Sequence, residues 1–122
     1  MRWVLHGNIT PAAAEALRRH ADNTVGVAEL GLAADASPFE LLKTAQTRQL
    51  DFFTTDADLI TAIFDEKIHF NRVVVYLQFQ GGDVEQDDAV DRLYQRYKRL
   101  TPGRLYTVTG ARVKIRQLPG KK

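Results

Sequence analysis

Cysteine is absent from the chain. That excludes a disulfide framework and any thiolate zinc site, and it fits a reducing compartment. Long apolar runs are missing as well. No stretch approaches the roughly 20 consecutive apolar residues that a membrane-crossing helix needs. The opening residues Met1–His6 hold neither a long apolar core nor a small-residue cleavage site, so no secretory signal is expected. The expectation is a soluble, cytoplasmic protein with no membrane partner. Acids are lacking in one region only. Residues 92–122 carry 10 Lys and Arg and no Asp or Glu, whereas residues 1–91 hold all 15 acids against 7 bases. The net charge of +2 thus conceals a split of roughly −8 against +10, an asymmetry that suggests an anionic partner.

What is present is ordinary globular material. At 122 residues, 44% hydrophobic and 26% charged, the chain suffices for one domain with a real core, spanning residues 1–122. Trp3-Val4-Leu5 reads as a strand ending at His6-Gly7-Asn8. Thr10 caps a helix with Pro11 at its first position. Thr24–Val27 reads as a second strand and Glu29–Leu32 as a loop. Ser37-Pro38-Phe39-Glu40 is a capping box opening a helix to about Gln49. Asp51–Thr54 is a third strand, and Leu59, Ile60, Ile63 and Phe64 give the next helix its apolar stripe. Arg72–Leu77 is a continuous run suited to a strand covered on both faces. Gly81-Gly82 breaks the chain before a helix from about Val84 to Leu100. Leu105–Val108 and Arg112–Leu118 close it as a β-hairpin, followed by a flexible basic tail at 119–122. Strands alternating with helices predict an α/β fold: a mostly parallel sheet with helices on both faces, Rossmann-like in layering, with the antiparallel hairpin at one edge.

The stretch Thr54-Thr55-Asp56-Ala57-Asp58 is the chemical centre of this reading. It sets two carboxylates at the end of a buried strand and the start of a helix, where open α/β sheets carry their sites. The ends of the first and third strands should gather His6, Asn8, Asp56 and Asp58, with Glu40 near. Each has a simpler account beside the functional one. Asp56 and Asp58 serve as helix cap and first-turn acid, Glu40 completes a capping box, Asn8 shapes a turn, and His6 bonds to backbone.

Four local patterns in order resemble a small stand-alone bacterial branch of the PIN-like nuclease superfamily. They are Leu5-His6-Gly7-Asn8-Ile9-Thr10-Pro11, then Leu41-Leu42 with Ala45, then Thr54-Thr55-Asp56-Ala57-Asp58, and last Arg112-Val113-Lys114-Ile115-Arg116. The resemblance implies a metal-dependent endoribonuclease that cuts single-stranded RNA with Mg²⁺ or Mn²⁺, of a kind often paired with a protein antitoxin. It implies that Asp56, Asp58, His6 and Glu40 hold the ion and that Asn8 completes the catalytic set. His6 stands where the branch has its leading aspartate, Gly7 where a second acid often is, and Pro38 where the next helix should open on an acid. Replacing a carboxylate by imidazole removes a charge whose gross attraction at ~4 Å is about 4 kcal/mol at moderate dielectric, and offers Mg²⁺ a nitrogen where it takes oxygen. The expected enzyme is therefore impaired or degenerate.

The alternative is a non-catalytic module of the same fold that binds RNA or a protein of antitoxin type. For RNA the candidate contacts are Arg96, Lys98, Arg99, Arg104, Arg112, Lys114 and Arg116. Tyr94, Tyr97 and Tyr106 could stack bases, although helical spacing makes the first two core residues. A phosphotransfer use of the Asp56/Asp58 pair is a weaker reading, since that chemistry usually sits at the first strand.

Overall fold

The computed structural model describes residues 1–33, 35–78 and 81–119. In chain order it contains β1 (Arg2–His6), α1 (Pro11–Arg19), β2 (Asn23–Gly26), a 3₁₀ turn (Val27–Leu30), α2 (Pro38–Thr47), β3 (Asp51–Thr54), α3 (Ala57–Asp65), β4 (Val74–Leu77), α4 (Asp83–Arg96), β5 (Arg104–Val108) and β6 (Val113–Gln117). The strands form one sheet in the order β2-β1-β3-β4-β5-β6. The first five are mutually parallel, and β6 pairs antiparallel with β5 at the edge. The α/β architecture expected from the sequence is what the chain adopts. Among the described residues no helix is long and apolar enough to cross a membrane. The expected tail lies, for residues 120–122, outside the described residues.

Period-two alternation splits the core into two layers. Trp3, Phe53, Val75 and Tyr106 face α1 and α4, while Val4, Phe52, Val74 and Leu105 face α2 and α3. Both clusters are dry: Trp3, Val4, Phe52 and Phe53 are fully buried. The helix starts follow their capping chemistry. Thr10 accepts from the Ala13 amide, and Ser37 and Glu40 complete a reciprocal box. Helix α4 stops at Arg96, earlier than its charge pattern suggests. Tyr97 turns extended (φ −135°, ψ 103°) and meets Tyr106 edge-on at 5.4 Å, so aromatic packing ends the helix before its basic run does. Tyr106 is buried and accepts the Thr101 amide. Tyr94 bonds to Asp22. Each of the three rings thus has a packing or hydrogen-bonding partner within the fold.

The strand order reverses direction at β1. From β1 the chain steps one way to β2 and then crosses back to β3, so the carboxyl ends of β1 and β3 flank a topological switch point. The turn leaving β1 there is tight. Gly7 adopts φ +81°, and a Cβ placed on it would lie 2.5 Å from Thr55 Oγ1. That oxygen cannot simply move, because it accepts the Asn8 amide at 2.8 Å. Left-handed backbone costs a non-glycine residue about 1–2 kcal/mol, and a lost hydrogen bond about 1 kcal/mol more. Gly7→Ala should therefore lower unfolding free energy by about 2–3 kcal/mol, read from urea denaturation. A loss below about 0.5 kcal/mol, the size of an ordinary surface change, would contradict this account of the turn.

Candidate functional site

Register explains the chemistry of the carboxyl edge. His6 pairs with Thr54, Thr54 with Tyr76, Tyr76 with Thr107, and Thr107 with Lys114. Paired residues share a face, so these five side chains form a row on the α2/α3 side of the sheet. Two residues back along β1, β3, β4 and β5 lies an apolar row of Val4, Phe52, Val74 and Leu105. The core layer therefore ends in a polar lip.

The lip is held by threonine hydroxyls. Thr54 is fully buried; its Oγ1 accepts the Asp56 amide at 2.9 Å and lies 2.8 Å from His6 Nδ1. The Thr55 amide donates to the His6 carbonyl at 3.3 Å while the Thr55 hydroxyl takes the Asn8 amide. His6 also packs its ring 5.4 Å from that of Phe52. Burial lowers the His6 pKa, and the charge of Asp56 opposes that without reversing it. The ring is thus held neutral, and the Thr54 hydroxyl can give it a proton while accepting from Asp56. Tyr76, half-buried beside them, has its phenol pushed upward by burial first and by Asp56 second. His6, Thr54, Asp56 and Tyr76 are brought together.

Other expected members are not. Asp56 caps α3, its Oδ1 accepting the Asp58 amide at 2.9 Å. Asp58 is exposed in the first turn of that helix. Glu40 is exposed, with Oε1 on the Ser37 amide at 3.2 Å, where it completes the capping box of α2. Asn8 enters through its backbone: its carbonyl accepts from Gln86 Nε2 at 2.8 Å, and Gln86 Oε1 accepts the Thr10 amide at 2.8 Å. Among the described residues no three His, Asp or Glu side chains group as a metal site. Mg²⁺ and Mn²⁺ favour several oxygen ligands. A neutral imidazole and one converging carboxylate do not fit either ion.

The cations are divided as well. β6 runs opposite to β5, so Lys114 lies toward the polar lip while Arg116 sits two residues along, its guanidinium 3.6 Å over the Phe64 ring. Arg112 precedes β6 at the lip end. Arg104 opens β5 at the amino edge, and Lys98 and Arg99 follow α4 to that same edge. Arg96 lies in the last turn of α4. The seven candidate contacts thus fall toward opposite ends of the sheet.

Two participants escaped the sequence reading. Gln86 is 3% exposed and falls on the stripe of Ala89, Val90 and Leu93, so a polar residue on an apolar face was its visible signal. Tyr76 lay inside a hydrophobic run and gave none.

No protein-family model, curated protein or solved structure matches the chain.

A group whose folded pKa is depressed stabilises the fold above its unfolded value, and that stability is lost as pH falls through the folded value. His6 therefore contributes stability at neutral pH that is lost as pH falls below about 6.5, the unfolded histidine value. By NMR its ring should titrate with a midpoint below about 6.5, and Asp56→Asn should lower it further. A midpoint at or above the ordinary value, or one indifferent to Asp56→Asn, would contradict the geometry described.

Proposed function

We propose that the chain is a PIN-like domain that has lost its metal centre and acts by binding single-stranded RNA. The observation that carries this reading is the neutral His6 ring on the Thr54 hydroxyl, where the branch it resembles has an acid. A carboxylate there would meet Asp56 at the switch point and begin an anionic pocket; an imidazole does not. Glu40 and Asp58, the remaining acids, are a cap and a solvated first-turn residue.

Binding is supported by the continuity of the lip with the edge strand. The row from His6 through Thr54, Tyr76 and Thr107 ends on Lys114, with Arg112 at the same end of β6. A hydrogen-bonding edge beside unpaired cations suits a phosphodiester backbone and its sugar hydroxyls. Among the described residues Lys114 and Arg112 form no ion pair.

The test is a fluorescence-anisotropy titration of a labelled single-stranded RNA at about 50 and 200 mM salt. Affinity should fall steeply with salt, and Arg112→Gln with Lys114→Gln should reduce the log–log slope by about 1.4, at ~0.7 per phosphate contact on a single strand. Incubation with Mg²⁺ or Mn²⁺ should leave the RNA uncut. No binding at low salt would remove RNA as the ligand. Metal-dependent cleavage abolished by Asp56→Asn would instead make the chain a working nuclease.

A further inference from the structure

A cavity of about 620 Å³ opens at the amino edge of the sheet, the end opposite His6 and Thr54. It lies between the starts of β3 and β4, the end of α1, and the segment that follows α4. Its size is that of a small-molecule pocket. Val73, Leu100 and Pro102 give it apolar wall, and Tyr94 stacks with His20 at 4.5 Å on another side.

The charges around it are unequally satisfied. Asp22 is 6% exposed and accepts from the Met1 nitrogen at 2.9 Å, from Trp3 Nε1 at 2.8 Å and from the Tyr94 hydroxyl. That carboxylate has a full set of donors. Asp51, 2% exposed, accepts the Val73 amide at 3.0 Å. Its contact with Arg72 is long, 3.4 Å from Arg72 Nη2. Arg72 Nε is buried 3.4 Å from Asp51 Oδ1 but forms no hydrogen bond. A guanidinium offers five N–H donors, and most of those on Arg72 remain unfilled among the described residues. Lys98 and Arg99 line the same opening without a carboxylate partner among the described residues. Asp22 is answered by donors already in place and Asp51 pairs with Arg72, so the surplus positive charge at the cavity comes from Lys98 and Arg99.

We propose that this cavity binds a small planar monocarboxylate. Its apolar body lies against Val73, Leu100 and Tyr94, and its carboxylate meets the free donors of Arg72 with Lys98 and Arg99 at the mouth. The planar guanidinium favours carboxylate, which it can meet with two parallel hydrogen bonds. Predominantly apolar walls favour a ligand with a hydrocarbon body over a bare inorganic anion.

The probe is 2-naphthoate, titrated into the ¹⁵N-labelled full chain, with Trp3 fluorescence as a second readout. Trp3 is the chain's one tryptophan, and its indole shares Asp22 with Tyr94. Saturable shifts should centre on residues 72–73 and 94–102 and leave Thr54–Asp58 unmoved. The neutral 2-naphthamide should bind at least about tenfold more weakly, the loss of charge-assisted hydrogen bonds. Lys98→Gln with Arg99→Gln, both exposed and outside any element, should weaken 2-naphthoate several-fold without altering thermal stability. Lys114→Gln should change nothing. Equal binding of acid and amide, shifts centred elsewhere, or indifference to Lys98→Gln with Arg99→Gln would overturn the proposal. So would inorganic phosphate producing the same shifts at equal or lower concentration, because the apolar walls would then contribute nothing.

Discussion

One oxygen atom organises the carboxyl edge of this sheet. Thr54 Oγ1 is buried, receives the Asp56 amide, and faces the His6 ring within hydrogen-bond distance. The first contact sets where α3 begins, and the second fixes the imidazole across the β1–β3 pair. An unpartnered hydroxyl there would carry a desolvation cost of about 1–3 kcal/mol, so the three groups are bound to one another's placement. Thr55 repeats the device one residue on, its hydroxyl holding the Asn8 amide over a turn that only Gly7 relaxes into. Side chains thus lace the switch point together.

That lacing decides the electrostatics. Beside a second carboxylate, Asp56 would contribute to an anionic pocket. Beside a neutral ring and a phenol whose ionisation it opposes, it remains a helix cap with one adjacent imidazole. The amino edge is the reverse case. Two buried carboxylates are matched by donors there, and the surplus is positive. The two ends of the same sheet thus present different chemistry, hydrogen-bonding around a capping carboxylate at one and cationic over apolar walls at the other.

Much of this was written locally. The Ser37-Glu40 and Thr10-Pro11 signals placed their helices, and the continuous apolar run before Leu77, with strands alternating with helices, announced a sheet covered on both faces. The capping box also gave Glu40 its local partner, the Ser37 amide. Less legible was anything that depends on register. That His6, Thr54, Tyr76, Thr107 and Lys114 share a row follows from how five strands align, and no local pattern contains that. The division of the basic residues has the same origin: Arg104 and Lys114 are ten apart in sequence, but the reversal of β6 sends them to opposite edges. Helix α4 shows tertiary packing overriding a local pattern, since the macrodipole favoured a longer helix and the Tyr97–Tyr106 contact ended it. The amino-edge cavity was invisible for a related reason, as its walls come from segments more than twenty residues apart.

Paramagnetic broadening by Mn²⁺ tests most directly whether the carboxyl lip holds a metal ion. Titrated into the ¹⁵N-labelled chain, Mn²⁺ should produce only weak, non-saturating broadening over exposed acids such as those opening α4, and leave the amides of His6 and Thr54–Asp58 no more affected than the rest. Saturable broadening at stoichiometric Mn²⁺, centred on His6 and Thr54–Asp58, would contradict it.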